Sequence, residues 1–402
     1  MTMETMVGPR GRTYEERDIT NDWKKEAGDA VVVVGAGQNT LHMGRPLDDL
    51  NQLHPVHVVE VGEPLIPVEP DRLHLVNTPE GQESIAKLIG SGAVRTAYCS
   101  LVPSRHMPFL EEYLGYVKDG KVDRLVVAKP VVPTVADMKT VDALVKAIEA
   151  RRGPEQGPVL YVHEHYIEKG AWHALREQLP KVTERLGRLS SVTVTIQEQR
   201  TVEDEGRTAA LAGGALEDLG PHVISLGLDI QNEINKTTYT IPDRSRTAMN
   251  RFRYGDSELP EGVETGFSIN GDTEIIDSDG TAYNLPFAWR GGKGLQNEKE
   301  VVLTFTHPET GEDTTVVVDL SSNTLRVPLS INDLFPEKKF DDNGYGAVVE
   351  RGLNGGDPAD SFQSWKDAKV VTKWIQALKN QDPPLYEYPL GASLEELESR
   401  LN

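Results

Sequence analysis

The chain holds a single cysteine, Cys99, so it has no internal disulfide and no site built from several cysteine ligands, which fits a reducing cytoplasm. Long apolar runs are absent. No stretch reaches the length of a membrane span, and residues 1–25 are charged and polar instead of signal-like. Basic charge is scarce: 42 Lys and Arg stand against 63 Asp and Glu, and the formal net charge of -21 repels phosphate backbones and anionic lipid faces. Nucleic acid and membrane are therefore not expected as partners, and a cytoplasmic location is expected. Internal repeats and low-complexity tracts are absent too.

What is present suits a globular chain. With 402 residues, 38% hydrophobic and 26% charged, it is long enough for two cores. Ala30 to Val34 is a β-branched run of the kind buried on both faces, and it leads into Gly35 and Gly37 and a helix-like stretch to about Leu53. Further strands are expected at Val56 to Val61, Val94 to Leu101 and Arg124 to Ala128, with helical patterns between them, the grammar of a parallel doubly wound sheet. The loop from Arg151 to Pro158 marks the expected boundary, giving a dinucleotide-binding domain over 1–155 and a substrate domain over 156–402. Beyond it come a strand at Val159 to His163, a helix from about Lys169, and alternating strands at Ser191 to Ile196, Glu300 to Thr306 and Thr314 to Leu320. These predict an open, mainly antiparallel sheet with helices on one face; a helix is expected again within 344–379.

Gly35 and Gly37 after a buried strand allow a tight turn and close approach to a pyrophosphate, although Thr40 stands where a third glycine completes the dinucleotide fingerprint. A plain tight turn is the alternative. Glu60 and Glu63 close the second strand, where an acid accepts from ribose hydroxyls and repels a 2′-phosphate, so NAD is expected at least as well as NADP; Arg45 and Arg72 leave NADP open. Pro103 and His106 follow one strand end and Lys129-Pro130 the next, positions that face ligand in such sheets, or solvent. With Gln38 these give the expected cofactor contacts: Gly35, Gly37, Gln38, Glu60, Pro103, His106 and Lys129.

The segment His163 to Lys169 is dense in chemistry. If the strand turns into a helix near Tyr166, then His165, Tyr166 and Lys169 converge at a helix start able to cradle phosphate; an ordinary polar strand end is the alternative. A metal site is discounted because further His at ligand spacing are lacking. Asp218 and His222 are four apart, one turn of a helix, and a His so oriented can act as general base, or be a satisfied helix residue. Arg290 and Lys293 read as a basic turn that can hold an anion.

In order and spacing these motifs resemble glucose-6-phosphate dehydrogenase: Ala128-Lys129-Pro130, Glu164 to Lys169, Glu205-Gly206-Arg207, Gly214 to Asp218 with His222, and Arg290 to Lys293. The resemblance implies that His222 is the general base and Glu164, replacing an Asp, the carboxylate that orients it. It implies that His165, Tyr166 and Lys169 hold a 6-phosphate, and that Lys129, Glu198, Asp218 and Lys293 bind substrate hydroxyls or phosphate. Asp218, Gly220 and His222 are spaced instead as in the glucose-fructose oxidoreductase and inositol dehydrogenase family, which Pro103, His106 and Lys129-Pro130 also suit. Both families share one two-domain plan. The expectation is an NAD- or NADP-dependent oxidoreductase acting on a sugar or sugar phosphate, as a homo-oligomer. The alternatives are an oxidoreductase of unphosphorylated sugars or cyclitols with Lys129 as acid/base, and a non-catalytic cofactor-binding sensor.

Overall fold

The computed structural model describes residues 5–7, 13–15, 30–35, 55–62, 64, 68, 70–153, 157–198, 214–235, 246–253, 265–276, 282–293, 297–341, 344, 364–380 and 385–389. Among these the chain divides into two compact units, the first within Met1–Val131 and Lys139–His163, the second within Val132–Met138, Glu164–Gly344 and Ala359–Asn402.

In the first unit a two-stranded antiparallel ribbon, β1 (Thr5–Val7) and β2 (Thr13–Glu15), precedes a six-stranded parallel sheet. The sheet contains β3 (Ala30–Val34), β4 (Val56–Glu60), β5 (Leu73–Leu75), β6 (Val94–Cys99), β7 (Val122–Ala128) and β8 (Leu160–His163), in the order β5-β4-β3-β6-β7-β8. Helices α1 (Pro79–Gly90), α2 (His106–Lys118) and α3 (Val135–Arg152) connect them. Central strands are apolar on both faces: Val32, Val33, Leu125, Val126 and Val127 are fully buried, as βαβ packing requires. The strand that follows the loop at 151–158 adds the last strand of this parallel sheet, because Leu160 to His163 pair with Leu125 to Ala128; the chain passes to the second unit between His163 and Glu164.

The second unit is built on an eight-stranded mixed sheet. It contains α4 (Gly170–Leu186), β9 (Arg188–Glu198), α5 (Ala215–Asp218), α6 (Gly220–Asn235), β10 (Arg246–Arg253), β11 (Gly266–Ile276), β12 (Ala282–Lys293), β13 (Glu298–Thr306), β14 (Asp313–Asp319), β15 (Thr324–Arg326), α7 (Trp365–Asn380) and β16 (Leu385–Pro389). Strand order is β15-β14-β13-β9-β12-β11-β10-β16, antiparallel except for the parallel pairs β9 with β12 and β10 with β16. Helices cover one face. Along β9, β12 and β13 the residues Val192, Val194, Ile196, Phe287, Trp289, Val301, Leu303 and Phe305 alternate inward, and Trp172 and Trp374 join their core. The opposite positions, among them Thr193, Ala288, Arg290, Val302 and Thr304, are half-buried.

Three local expectations change. Asp218 and His222 do not share one helix: Pro221 has no N–H to offer Glu217, so α5 stops at Asp218 and α6 starts afresh at Gly220. Arg290 and Lys293 are not in a turn but on β12, an odd number of residues apart and therefore on opposite faces, with Lys293 inward. No helix begins near Tyr166; β8 ends at His163 and α4 starts at Gly170. Gly37, Gln38, Arg45, Glu63 and Arg207, with the helix expected to Leu53, lie outside the described residues. No helix among the described residues is long and apolar enough to cross a membrane.

Candidate active site

In the second unit the carboxyl ends of the parallel strands β9 and β12 bring Glu198 beside Lys293 in register. The Lys293 ammonium, 3% exposed, is ion-paired to Asp218 at the end of α5. On the other side Lys299, the second residue of β13, pairs with Glu198 at 2.9 Å and lies 5.5 Å from the centre of the Tyr166 ring. Tyr166 in turn presents its ring perpendicular to His222, centroids 4.8 Å apart, and His165 meets His222 edge-on at 5.2 Å. His222, in the first turn of α6, closes the chain of contacts: its Nδ1 is 2.6 Å from both carboxylate oxygens of Glu164.

This dyad sits away from water, with Glu164 1% and His222 3% exposed. The Tyr166 N–H donates to Glu164 Oε1 at 3.2 Å, which fixes the carboxylate from behind. An ionised carboxylate accepts only, so Nδ1 carries the proton and the imidazole is held in the tautomer whose Nε2 lone pair accepts one. Buried charge-assisted bonds of this length are among the stronger side-chain interactions. Close packing sustains the geometry: a Cβ on Gly344 would stand 2.1 Å from the His165 carbonyl oxygen, and its positive φ of 78° also favours glycine.

Lys169 is 8% exposed and immediately precedes α4. A merely solvated first-turn lysine is therefore not what stands here. Sequence reasoning thus brought together Glu164, His165, Tyr166, Glu198, Asp218, His222 and Lys293, and it missed Lys299. The only signal for Lys299 was its inward parity with Val301 and Leu303 on β13. The arrangement also brings Glu164, His165 and His222 within metal-ligand reach of one another, which spacing along the chain concealed because His222 arrives from α6, far along the sequence.

In the first unit four of the expected cofactor residues, Gly35, Glu60, Pro103 and Lys129, lie at the carboxyl edge of the parallel sheet. Gly35 follows β3 with φ 91°, and a Cβ there would stand 2.9 Å from Leu101 Cδ2 and 3.0 Å from the Ser100 carbonyl oxygen. A side chain at this turn is excluded on both counts, as a turn that brings backbone close to a ligand requires. Glu60 ends β4, Pro103 follows β6, and Lys129 directly follows β7 and is joined to Pro130 by a cis bond. Val61 and Val102, two of the three large exposed hydrophobics among the described residues, lie after β4 and β6, on either side of Gly35 in strand order. Such apolar surface with nearby polar groups suits a planar base and ribose.

His106 does not face ligand. It is fully buried, with Nδ1 2.7 Å from the Pro130 carbonyl oxygen and Nε2 3.0 Å from that of Leu101, so it ties the loop after β6 to the residues after β7. Burial holds its pKa below the usual histidine value, against the two carbonyl contacts, which favour the charged ring. Cys99, pushed up to about 12 by burial, offers no thiolate.

No protein-family model matches the chain, and no curated protein matches it in sequence. Solved structures do. A glucose-6-phosphate dehydrogenase in complex with glucose-6-phosphate aligns over 92% of this chain and 96% of that one, with TM-score 0.60 and 14% identity. An aldose-aldose oxidoreductase from Caulobacter crescentus aligns over 88% and 97%, with TM-score 0.59 and 15% identity. GenD2 from gentamicin A biosynthesis, in complex with NAD, aligns over 88% and 94%, with TM-score 0.53 and 16% identity. The chain therefore has the two-unit fold of these oxidoreductases.

Proposed function

We propose that this chain is a nicotinamide-dependent dehydrogenase that oxidises a hydroxyl-bearing carbon of a sugar phosphate, with His222 as general base. The observation that carries the reading is the buried Glu164–His222 contact at 2.6 Å, whose geometry prepares Nε2 to take a proton. Gly35, Glu60, Pro103 and Lys129 would hold the dinucleotide, with Gly37 and Gln38 after them. When bound, the nicotinamide supplies the hydride acceptor. His222 takes the hydroxyl proton as the carbon gives up its hydride, and the Glu164 carboxylate offsets the charge the imidazole gains. Lys129, Asp218, Lys293 and Glu198 orient the hydroxyls.

Two further details follow. Lys169, His165 and Tyr166 hold the phosphate, the ammonium by the charge-assisted hydrogen bonds that phosphate recognition uses. NAD serves at least as well as NADP, because Arg72 is engaged by His57 near the amino end of β4, the end opposite Glu60. The discriminating experiment screens free and phosphorylated sugars with either cofactor for reduced-nicotinamide absorbance. Turnover of a phosphorylated sugar, with its free analogue much poorer, is expected. Turnover of free sugars or cyclitols alone would replace this reading by the Lys129 acid/base alternative, and cofactor binding without turnover by the sensor.

A further inference from the structure

Glu164, His165 and His222 each offer one ligand atom, and the three atoms lie within 4.8 Å of one another, a cluster unmatched among the described residues. Two imidazoles and one carboxylate are the donor set of open zinc sites, which keep a fourth position for water or ligand. Tetrahedral bonds of about 2.0–2.2 Å hold ligand atoms roughly 3.3 Å apart. The cluster reaches that spacing by small side-chain rotations, with the Glu164–His222 contact lengthening from 2.6 Å. What occupies the middle of that contact is a proton. The Tyr166 N–H bond to Glu164 is of the outer-shell kind that orients a ligating carboxylate. Half-buried His165 gives an ion a side from which to enter.

We propose that Glu164, His165 and His222 form a reversible binding site for a zinc-class divalent cation, which replaces the proton shared by Glu164 and His222 and so disables the base. The exchange balances: the cation takes the Nδ1 lone pair, and the proton that Nδ1 held moves to Nε2, where it occupies the lone pair the base needs. No electron moves. The ion is an inhibitor at this place, since the nitrogen and carboxylate that prepare His222 for proton transfer become its ligands. That inhibition rests on the dehydrogenase reading; the binding itself does not.

The test titrates the full chain with zinc in competition with a fluorescent zinc chelator, and records the visible spectrum with cobalt(II) in its place. One zinc per chain and the intense absorption of low-coordinate cobalt are expected. His165→Gln lowers zinc affinity at least tenfold, and Glu164→Gln lowers it further; should the latter not fold, the former still decides. Zinc also stops sugar oxidation, and a chelator restores it. Absence of stoichiometric zinc, or identical affinity in wild type and His165→Gln, overturns the site. If zinc binds through these residues while no sugar is oxidised, the metal site stands and the dehydrogenase reading falls; if sugar is oxidised and zinc neither binds nor inhibits, only the metal site falls.

Discussion

His222 is held by one carboxylate and two aromatic rings, so its removal takes away a positioned base without opening a large void. His222→Asn should lower kcat by about a hundred- to ten-thousand-fold with cofactor affinity little changed, the range a positioned general base contributes. Steady-state kinetics together with a cofactor titration check it, and near wild-type turnover would remove His222 from the mechanism. Lys169 carries a different expectation. Losing one charge-assisted contact to phosphate costs about 1.5–3 kcal/mol, roughly ten- to a hundredfold in affinity. Lys169→Ala should therefore raise KM for the phosphorylated sugar and leave that for its free analogue nearly unchanged; a parallel rise in both would mean that Lys169 supports α4 instead of the ligand. At this scale the sequence was informative where residue types cluster along the chain, as from Glu164 to Lys169. It was silent on Lys299, which reaches Glu198 and Tyr166 only because β13 runs antiparallel beside β9.

Elements were legible where periodicity was strong. The β-branched run at Ala30 to Val34 and the alternation in β9, β13 and β14 locate strands that the structure contains, because burial on one face or both writes itself into composition. β11 and β12 were less so: Gly271, Pro286, Gly291 and Gly292 interrupt their patterns, and their long pairing supplies tertiary support that local propensity lacks. Asp218 and His222 read as one helix because spacing alone was weighed, while Pro221 broke it. A glycine also governs how α6 reaches the sheet. A Cβ on Gly227 would stand 2.2 Å from two atoms of the Trp289 indole, and that ring, fully buried, packs against Trp374 at 5.2 Å and cannot easily retreat. Gly227→Ala should therefore destabilise the second unit by about 1–3 kcal/mol, as overpacking does, despite alanine's better helix propensity. Chemical denaturation followed by tryptophan fluorescence measures this. Unchanged or raised stability would show that α6 can shift on its sheet.

Across the whole molecule, 63 carboxylates set the charge, yet most of them stay ionised down to about pH 5, since Asp and Glu titrate near 3.9 and 4.3. Between pH 7 and 5 the stability of the first unit is therefore governed by a few buried histidines. His57 and His74 stack there at 5.1 Å, 8% and 4% exposed. Their protons are assigned by one partner: the Arg72 guanidinium, which can only donate, is 2.7 Å from His57 Nε2, so that nitrogen holds a lone pair. His57 Nδ1 then donates to His74 Nε2 at 2.9 Å, and His74 Nδ1 donates to Ser84 Oγ. The chain works only with both rings neutral. Burial, then Arg72, lowers the His57 pKa to about 4, with His74 adding to the effect and Asp71 opposing it; burial and Arg72 lower His74 as well. A folded-state value below the unfolded 6.5 means that the unfolded chain takes up protons first as pH falls. The contribution is thus complete above about pH 6.5, declines through the window below it, and is gone near pH 4. Replacing His57 by Gln, which can accept from Arg72 and donate to His74 without titrating, removes that slope. The stability advantage of wild type over His57→Gln should shrink by about 1–2 kcal/mol between pH 7 and pH 5, at up to 1.4 kcal/mol per pH unit for each histidine. Amide protection of β4 and β5 in both proteins reads it, and equal pH slopes would show that the chain opens before its histidines charge.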